Sequence, residues 1–176
     1  MRISVFGSAR PLPESQLYQD AYQLGRLLGS QSWTVLTGGY MGTMEAVSRG
    51  VVETGGHTIG VTCAEIEKWR NNGANPWVQE EVRLNTLVER IQYITDHCDA
   101  ALALPGGPGT LTEISLLWNR LIIQALPPIP LILIGSGWQQ TLDAFWQSQR
   151  EHLSPESMDF LTHAPDVRSA FDLLVK

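Results

Sequence analysis

Apolar positions along the chain alternate between two periods. Ile3-Ser4-Val5-Phe6 is short and mostly apolar, closed by Gly7-Ser8-Ala9, and predicts a first strand. From Glu14 to Leu28, Leu17, Ala21, Leu24 and Leu28 recur at helical spacing. Trp33 to Leu36 predicts a second strand, ending in Thr37-Gly38-Gly39. Thr43 to Glu53 carries Met44, Val47 and Val51 on one helical stripe, stopped by Gly55-Gly56. Thr58 to Val61 is the third predicted strand. Cys63 to Gln79 breaks the rhythm with Asn71-Asn72-Gly73 and Asn75-Pro76; it predicts a long loop, with at most a helical turn around Glu65 to Trp69. Val82-Arg83-Leu84 reads as a short strand, and Thr86 to His97 as a helix with Leu87, Ile91 and Ile94 inward.

Ala100 to Leu104 is unbroken apolar, as expected of a parallel strand covered on both faces. A helix from Thr110 to Gln124, a strand from Leu131 to Ile134, and helices from Trp138 to Gln149 and Val167 to Val175 complete the pattern. Repeated strand, glycine turn and helix predict a Rossmann-like α/β fold: one domain over 1–176, an open, mostly parallel sheet and helices on both faces. In such sheets ligands sit at the carboxyl ends of the strands. The glycines fall there at Gly7, Gly38-Gly39, Gly106-Gly107-Gly109 and Gly135.

Composition narrows the chemistry. A 176-residue chain that is 43% hydrophobic can bury a full core, and its net charge of −6 argues against a nucleic-acid partner, which needs a basic face. Cys63 and Cys98 lack any CxxC or His spacing, so neither a disulfide framework nor a metal site is expected. The start, MRISVFGSA, reads as a core strand rather than a signal peptide. No apolar stretch approaches the roughly 18 residues of a membrane span, so no membrane partner is expected. These features predict a cytoplasmic protein with reduced thiols.

A helix N-terminus offers unpaired amides and a partial positive charge, and glycine lets a phosphate oxygen reach them. Gly106, Gly107, Gly109 and Thr110 precede or open one helix after a buried strand; Gly39 and Gly42 stand likewise before another. Two such cradles meeting on one phosphate is the functional reading, and tight turns are the plain one. A GxGxxG fingerprint and a Walker lysine are both absent. Thr110-x-x-Glu113 has the form of a capping box, yet Glu113 one turn into the helix would also stand beside a phosphate pocket, able to position a water. Arg90 reads either as a solvated helix edge or as a fork for an anion. Glu45 suits the dipole of its helix, or accepts from a ribose or base. Trp69 and Trp77 are either packing residues or a platform for a base.

Two stretches carry a resemblance. Pro105-Gly106-Gly107-Pro108-Gly109-Thr110-Leu111-Thr112-Glu113 fits PGGxGTxxE, and Gly38-Gly39-Tyr40-Met41-Gly42-Thr43-Met44-Glu45-Ala46 resembles GGxxGxMEA. Both are signatures of the LOG ("lonely guy") family, often labelled lysine decarboxylase-like. The resemblance implies a Rossmann-like homodimer that hydrolyses the N-glycosidic bond of a nucleoside 5′-monophosphate. It implies Arg90 and Glu113 as the essential pair, and the glycine loops as the holders of a small phosphorylated ligand. The loops supply Gly7, Ser8, Gly38, Gly39, Gly42, Pro105, Gly106, Gly107, Gly109 and Thr110, with Glu45 beside them. No cofactor is implied. Some relatives of this fold resemble carriers of molybdenum cofactor, so a non-catalytic phospho-ligand binder is the alternative. Decarboxylation through pyridoxal phosphate needs a lysine after a core strand, and the chain has only Lys68 and Lys176.

Overall fold

In a computed structural model of the chain, seven strands form one parallel sheet in the order β4-β3-β2-β1-β5-β6-β7. The description covers residues 1–70 and 73–175; Asn71 and Asn72 of the predicted loop, and Lys176, lie outside it. The strands are β1 (Arg2–Phe6), β2 (Thr34–Thr37), β3 (His57–Cys63), β4 (Glu80–Leu84), β5 (Ala100–Ala103), β6 (Leu131–Ile134) and β7 (Leu161–Ala164). The helices are α1 (Gln16–Gly29), α2 (Thr43–Glu53), α3 (Ala64–Arg70), α4 (Leu87–Asp96), α5 (Pro108–Ile122), α6 (Ser136–Gln149) and α7 (Val167–Leu174). Short 3-10 turns at Arg150–His152 and Pro155–Phe160 lead into β7.

Alternation along each strand divides the core into two layers. Ile3, Val5, Ala100, Leu102, Ile132 and Ile134 face α1, α2 and α7. Phe6, Ala101, Ala103, Leu131 and Leu133 face α4, α5 and α6. Ser4 is the polar exception on the second face, and its hydroxyl donates to the Ile94 carbonyl of α4 at 2.6 Å. Because β1 pairs with β2 on one side and β5 on the other, the chain reverses its winding at β1/β5. That switch point opens a crevice at the carboxyl edge, where the following loops diverge.

Two elements depart from the sequence pattern. α3 contains the turn expected around Glu65 to Trp69 and extends it to seven residues of the predicted loop, more than its weak periodicity signalled. β7 is an edge strand whose Thr162 and His163 interrupt any apolar run. The capping box at Thr110 does not form. α5 begins two residues earlier, at Pro108 with Gly107 as N-cap and no side-chain cap. Proline suits the first helical position because that position needs no N–H donor. A capping box does form at α4, between Thr86 and Glu89.

Candidate functional site

The loops after β1, β2, β3 and β5, with the starts of α4 and α5, enclose a cavity of about 310 Å³ at the carboxyl edge. That lies within the range of small-molecule sites, roughly 300–1,000 Å³. Arg90 from α4 and Glu113 from α5 meet in its wall. Arg90 Nη1 stands 3.4 Å from Glu113 Oε1, and the residues are 5% and 6% exposed. The solvated-edge reading of Arg90 is therefore overturned. α4 and α5 lie side by side, tied further down by an ion pair from Arg120 to Asp96.

Three contacts seat the guanidinium. Arg90 Nε donates to the Val61 carbonyl at the end of β3, at 2.7 Å. Its carbon lies 5.7 Å from the centre of the Tyr40 ring, whose hydroxyl is itself fixed by the Cys63 backbone on both its N–H and carbonyl. Gly38 supplies the clearance: a Cβ there would fall 1.9 Å from Arg90 Nη2. Burial pushes the Glu113 carboxyl up from its ordinary 4.5 to about 7, although Arg90 pulls the other way. Desolvation wins because the nearby charge is long for an ion pair and shared with a backbone carbonyl. The pair thus holds a carboxyl poised to titrate near neutrality.

The loop after β5 supplies the adjoining part of the wall. Trp138 of α6 donates its indole N–H to the Leu104 carbonyl at 3.0 Å, fixing the strand end where the loop departs. Gly107, Gly109 and Thr110 line the cavity. A Cβ on Gly107 or Gly109 would meet nothing within 4 Å, and neither residue has a positive φ. Neither the fold's packing nor its backbone therefore demands glycine there. Bare backbone facing open space is what an approaching ligand requires. With Pro108 lacking an N–H, the amides of Gly109 and Thr110 are the first-turn donors that α5 points at the cavity.

The other candidates sort by position. Gly7, Ser8 and Gly38 also line the cavity, while Gly39, Gly42, Glu45, Pro105 and Gly106 do not. Gly39 and Gly42 take φ of 77° and 71°, which favours glycine. Gly42 also lets the loop after β1 approach, since a Cβ would fall 2.5 Å from the Ser8 carbonyl oxygen. That carbonyl accepts from the Thr43 N–H and hydroxyl at 2.9 and 3.1 Å. The Thr43 amide that opens α2 is thus spent inside the protein, although Met44 beside it lines the cavity. Gly106 makes room for Thr110, and Glu45 accepts from the Tyr18 hydroxyl at 3.4 Å.

Trp69 and Trp77 do not line the cavity. Trp69 is 79% exposed, and Trp77 has the Arg49 guanidinium 5.7 Å from its ring. Between them Asn75 is buried and clamps the loop after β2, its amide donating to the Gly39 and Tyr40 carbonyls at 3.0 and 2.9 Å. Lys68 is exposed on α3 and does not line the cavity. Arg10, Tyr40, Met44, Ile66 and Leu87 are also part of the wall without having been singled out as ligand contacts by the sequence. Only Arg10 carried a usable signal: a cation just after a glycine turn at a strand's carboxyl end.

An all-parallel sheet with a glycine-walled cavity beside its switch point makes this a Rossmann-like α/β protein. Residues 1–150 match the SLOG cluster4 family, and the chain belongs to that family, among relatives of LOG type. It is 32% identical over 118 residues to the cytokinin riboside 5′-monophosphate phosphoribohydrolase of Mycobacterium tuberculosis (strain ATCC 25618 / H37Rv). That alignment covers 66% of this chain and 62% of the relative, so it spans less than two thirds of that protein. Cytokinin riboside 5′-monophosphate phosphoribohydrolase LOG3 of Arabidopsis thaliana is 32% identical over 95% of this chain and 78% of its own. Among solved structures, the molybdenum cofactor binding protein from Rippkaea orientalis superposes with a TM-score of 0.76 at 24% identity, covering 99% of this chain and 94% of that one. That likeness concerns the fold.

Proposed function

We propose that this chain hydrolyses the N-glycosidic bond of a nucleoside 5′-monophosphate, releasing the free base and ribose 5-phosphate. The observation that carries the reading is a buried carboxylate and guanidinium in the same cavity as the open glycines at the start of α5. A carrier needs the phosphate cradle but has no use for a desolvated carboxylate at its heart. The names of the mycobacterial and plant relatives support the same reaction class.

In this reading each residue has a part. The Gly109 and Thr110 amides hold the phosphate, which anchors the sugar across the cavity. As the bond from the anomeric carbon to the base nitrogen stretches, positive charge builds on the ribose ring. The Glu113 carboxylate lies in low-dielectric surroundings where it stabilises that charge strongly. It also orients the attacking water and takes up its proton. The hydroxyl ends on the anomeric carbon, the bonding pair leaves with the base nitrogen, and a proton ends there. Arg90 holds Glu113 in place and favours its ionised form against the opposing effect of burial. No step calls for a cofactor; among the described residues no cluster of metal-ligating side chains exists.

We place the protein in the cytoplasm, a compartment that suits its free thiols Cys63 and Cys98; no described helix is long and apolar enough to cross a membrane. A homodimer also belongs to this reading, but Trp118, the large aromatic of α5, is not free to form its interface. Trp118 is 8% exposed and donates its indole N–H to the Ser157 carbonyl. Val88 and Leu111, exposed near the cavity on α4 and α5, fit that role better.

The test is a panel of nucleoside 5′-monophosphates incubated with wild type and Glu113→Ala, with free base read by chromatography. Wild type should release base from at least one member, and the variant should lose about 100-fold or more in rate. Equal release by both proteins removes the reading.

A further inference from the structure

We propose that Arg10 is the residue by which this cavity selects a phosphorylated ligand, its guanidinium closing over the anion held at the start of α5. The proposal deepens the phosphoribohydrolase reading of the same site and rests on it.

Among the described residues, Arg10 and Arg90 are the cations that line the cavity. Arg90 is committed. It is buried, it donates to the Val61 carbonyl, and it faces Glu113. Arg10 is exposed at the lip, with no carboxylate partner among the described residues.

Its backbone is nevertheless held. The Arg10 N–H donates to the Ser8 hydroxyl at 3.2 Å, and the Ser8 carbonyl is pinned by Thr43. Pro11 follows and restricts Arg10 to extended backbone. A cation on a fixed stalk beside a cavity, its guanidinium without a carboxylate partner among the described residues, is built for a ligand.

Sheet order says which end of the ligand it meets. Arg10 follows β1 and the α5 start follows β5, and those strands are neighbours at the switch point. Ile66 and Leu87 follow β3 and β4, at the other end of the cavity, and are apolar. The anionic end of the ligand therefore lies toward Arg10 and the base toward Ile66 and Leu87.

Charge magnitudes call for the extra cation. A phosphate monoester carries about −1.5 to −2 near neutrality. A helix start offers only about +0.5. The Glu113 carboxylate in the same cavity adds repulsion. A guanidinium fork supplies the missing charge and two parallel hydrogen bonds.

Steady-state kinetics of Arg10→Ala and Arg10→Lys, on a cleaved nucleoside 5′-monophosphate and on the matching unphosphorylated nucleoside, test this. Arg10→Ala should raise KM for the monophosphate about 10-fold or more with kcat within about 3-fold, and cost the nucleoside far less. Arg10→Lys, keeping the charge without the fork, should recover part of the loss. An unchanged KM, or equal losses on both substrates, overturns the proposal.

Calorimetric titration of ribose 5-phosphate separates this from the fate of the hydrolase reading. If wild type cleaves nothing, that reading fails while the titration still decides on Arg10. Weaker binding by Arg10→Ala supports the proposal; equal binding, or none by wild type, overturns it.

Discussion

Glu113 is a carboxyl held in a protein wall with one guanidinium for company. Its titration near 7 sets the pH range in which it serves as a carboxylate. If the ionised form directs water, kcat/KM should fall about 10-fold per pH unit below that value and level off above it. A pH profile of kcat/KM reports the free enzyme and so checks this directly; a flat profile from pH 5 to 8 would count against the assigned role. The residue itself was legible, since it ends a long motif. Its burial and its partner were not. Arg90 on a sequence helix looks like any surface arginine, and only the pairing of β3 with β2 and β4 brings the Val61 carbonyl under it. Gly107 and Gly109 were legible as bare glycines at a helix start, and they do line the cavity. Gly39 and Gly42 looked the same in sequence, yet their positive φ and close packing explain them without a ligand.

At the scale of elements, the glycines of α1 and α2 do quieter work. A Cβ on Gly25 would fall 2.2 Å from the Val47 carbonyl oxygen, and one on Gly50 would fall 2.3 Å from the Tyr22 carbonyl oxygen. The two helices cross with backbone against backbone. Gly25→Ala should therefore destabilise the protein by about 1–3 kcal/mol, despite alanine's better helix propensity of roughly 1 kcal/mol, because backbone cannot move aside as a side chain does. Urea denaturation of the variant checks the sign. This pair matters to the site because α2 holds the Ser8 carbonyl through Thr43, and with it the loop carrying Arg10. Long amphipathic helices such as α1 were visible in their periodicity. α3 showed only as a single turn and β7 not at all, because short segments carry too few positions to show a period. The start of α5 was misplaced for a chemical reason: Thr-x-x-Glu imitates a cap, while Pro108 at the first position and Gly107 before it set the true boundary.

For the whole molecule, the buried carboxyl has a thermodynamic consequence. Unfolded, Glu113 titrates near 4.5; folded, it titrates near 7. Between those values the folded chain holds more protons than the unfolded one, so this residue's contribution to stability falls as pH rises through the window and is level above it. Replacing it with glutamine removes that slope. Whatever the Glu113→Gln variant's absolute stability, the difference between variant and wild type should shift in the variant's favour from pH 4.5 to pH 7.5, by on the order of 2 kcal/mol. Denaturant melts at those two pH values measure it; a shift toward wild type would contradict the burial argument.

The chain alone determined a parallel α/β architecture, because continuous apolar strands need cover on both faces and alternating periods provide the helices. It also determined where backbone amides lie bare, because glycine at a helix start is a local property. Tertiary structure decided what the amides face and which side chains join them. Arg10, Arg90, Gly38 and Glu113 come from four separate elements, and their distances depend on the order in which the strands pair. Strand order is a cooperative outcome of long-range packing, which no local period encodes.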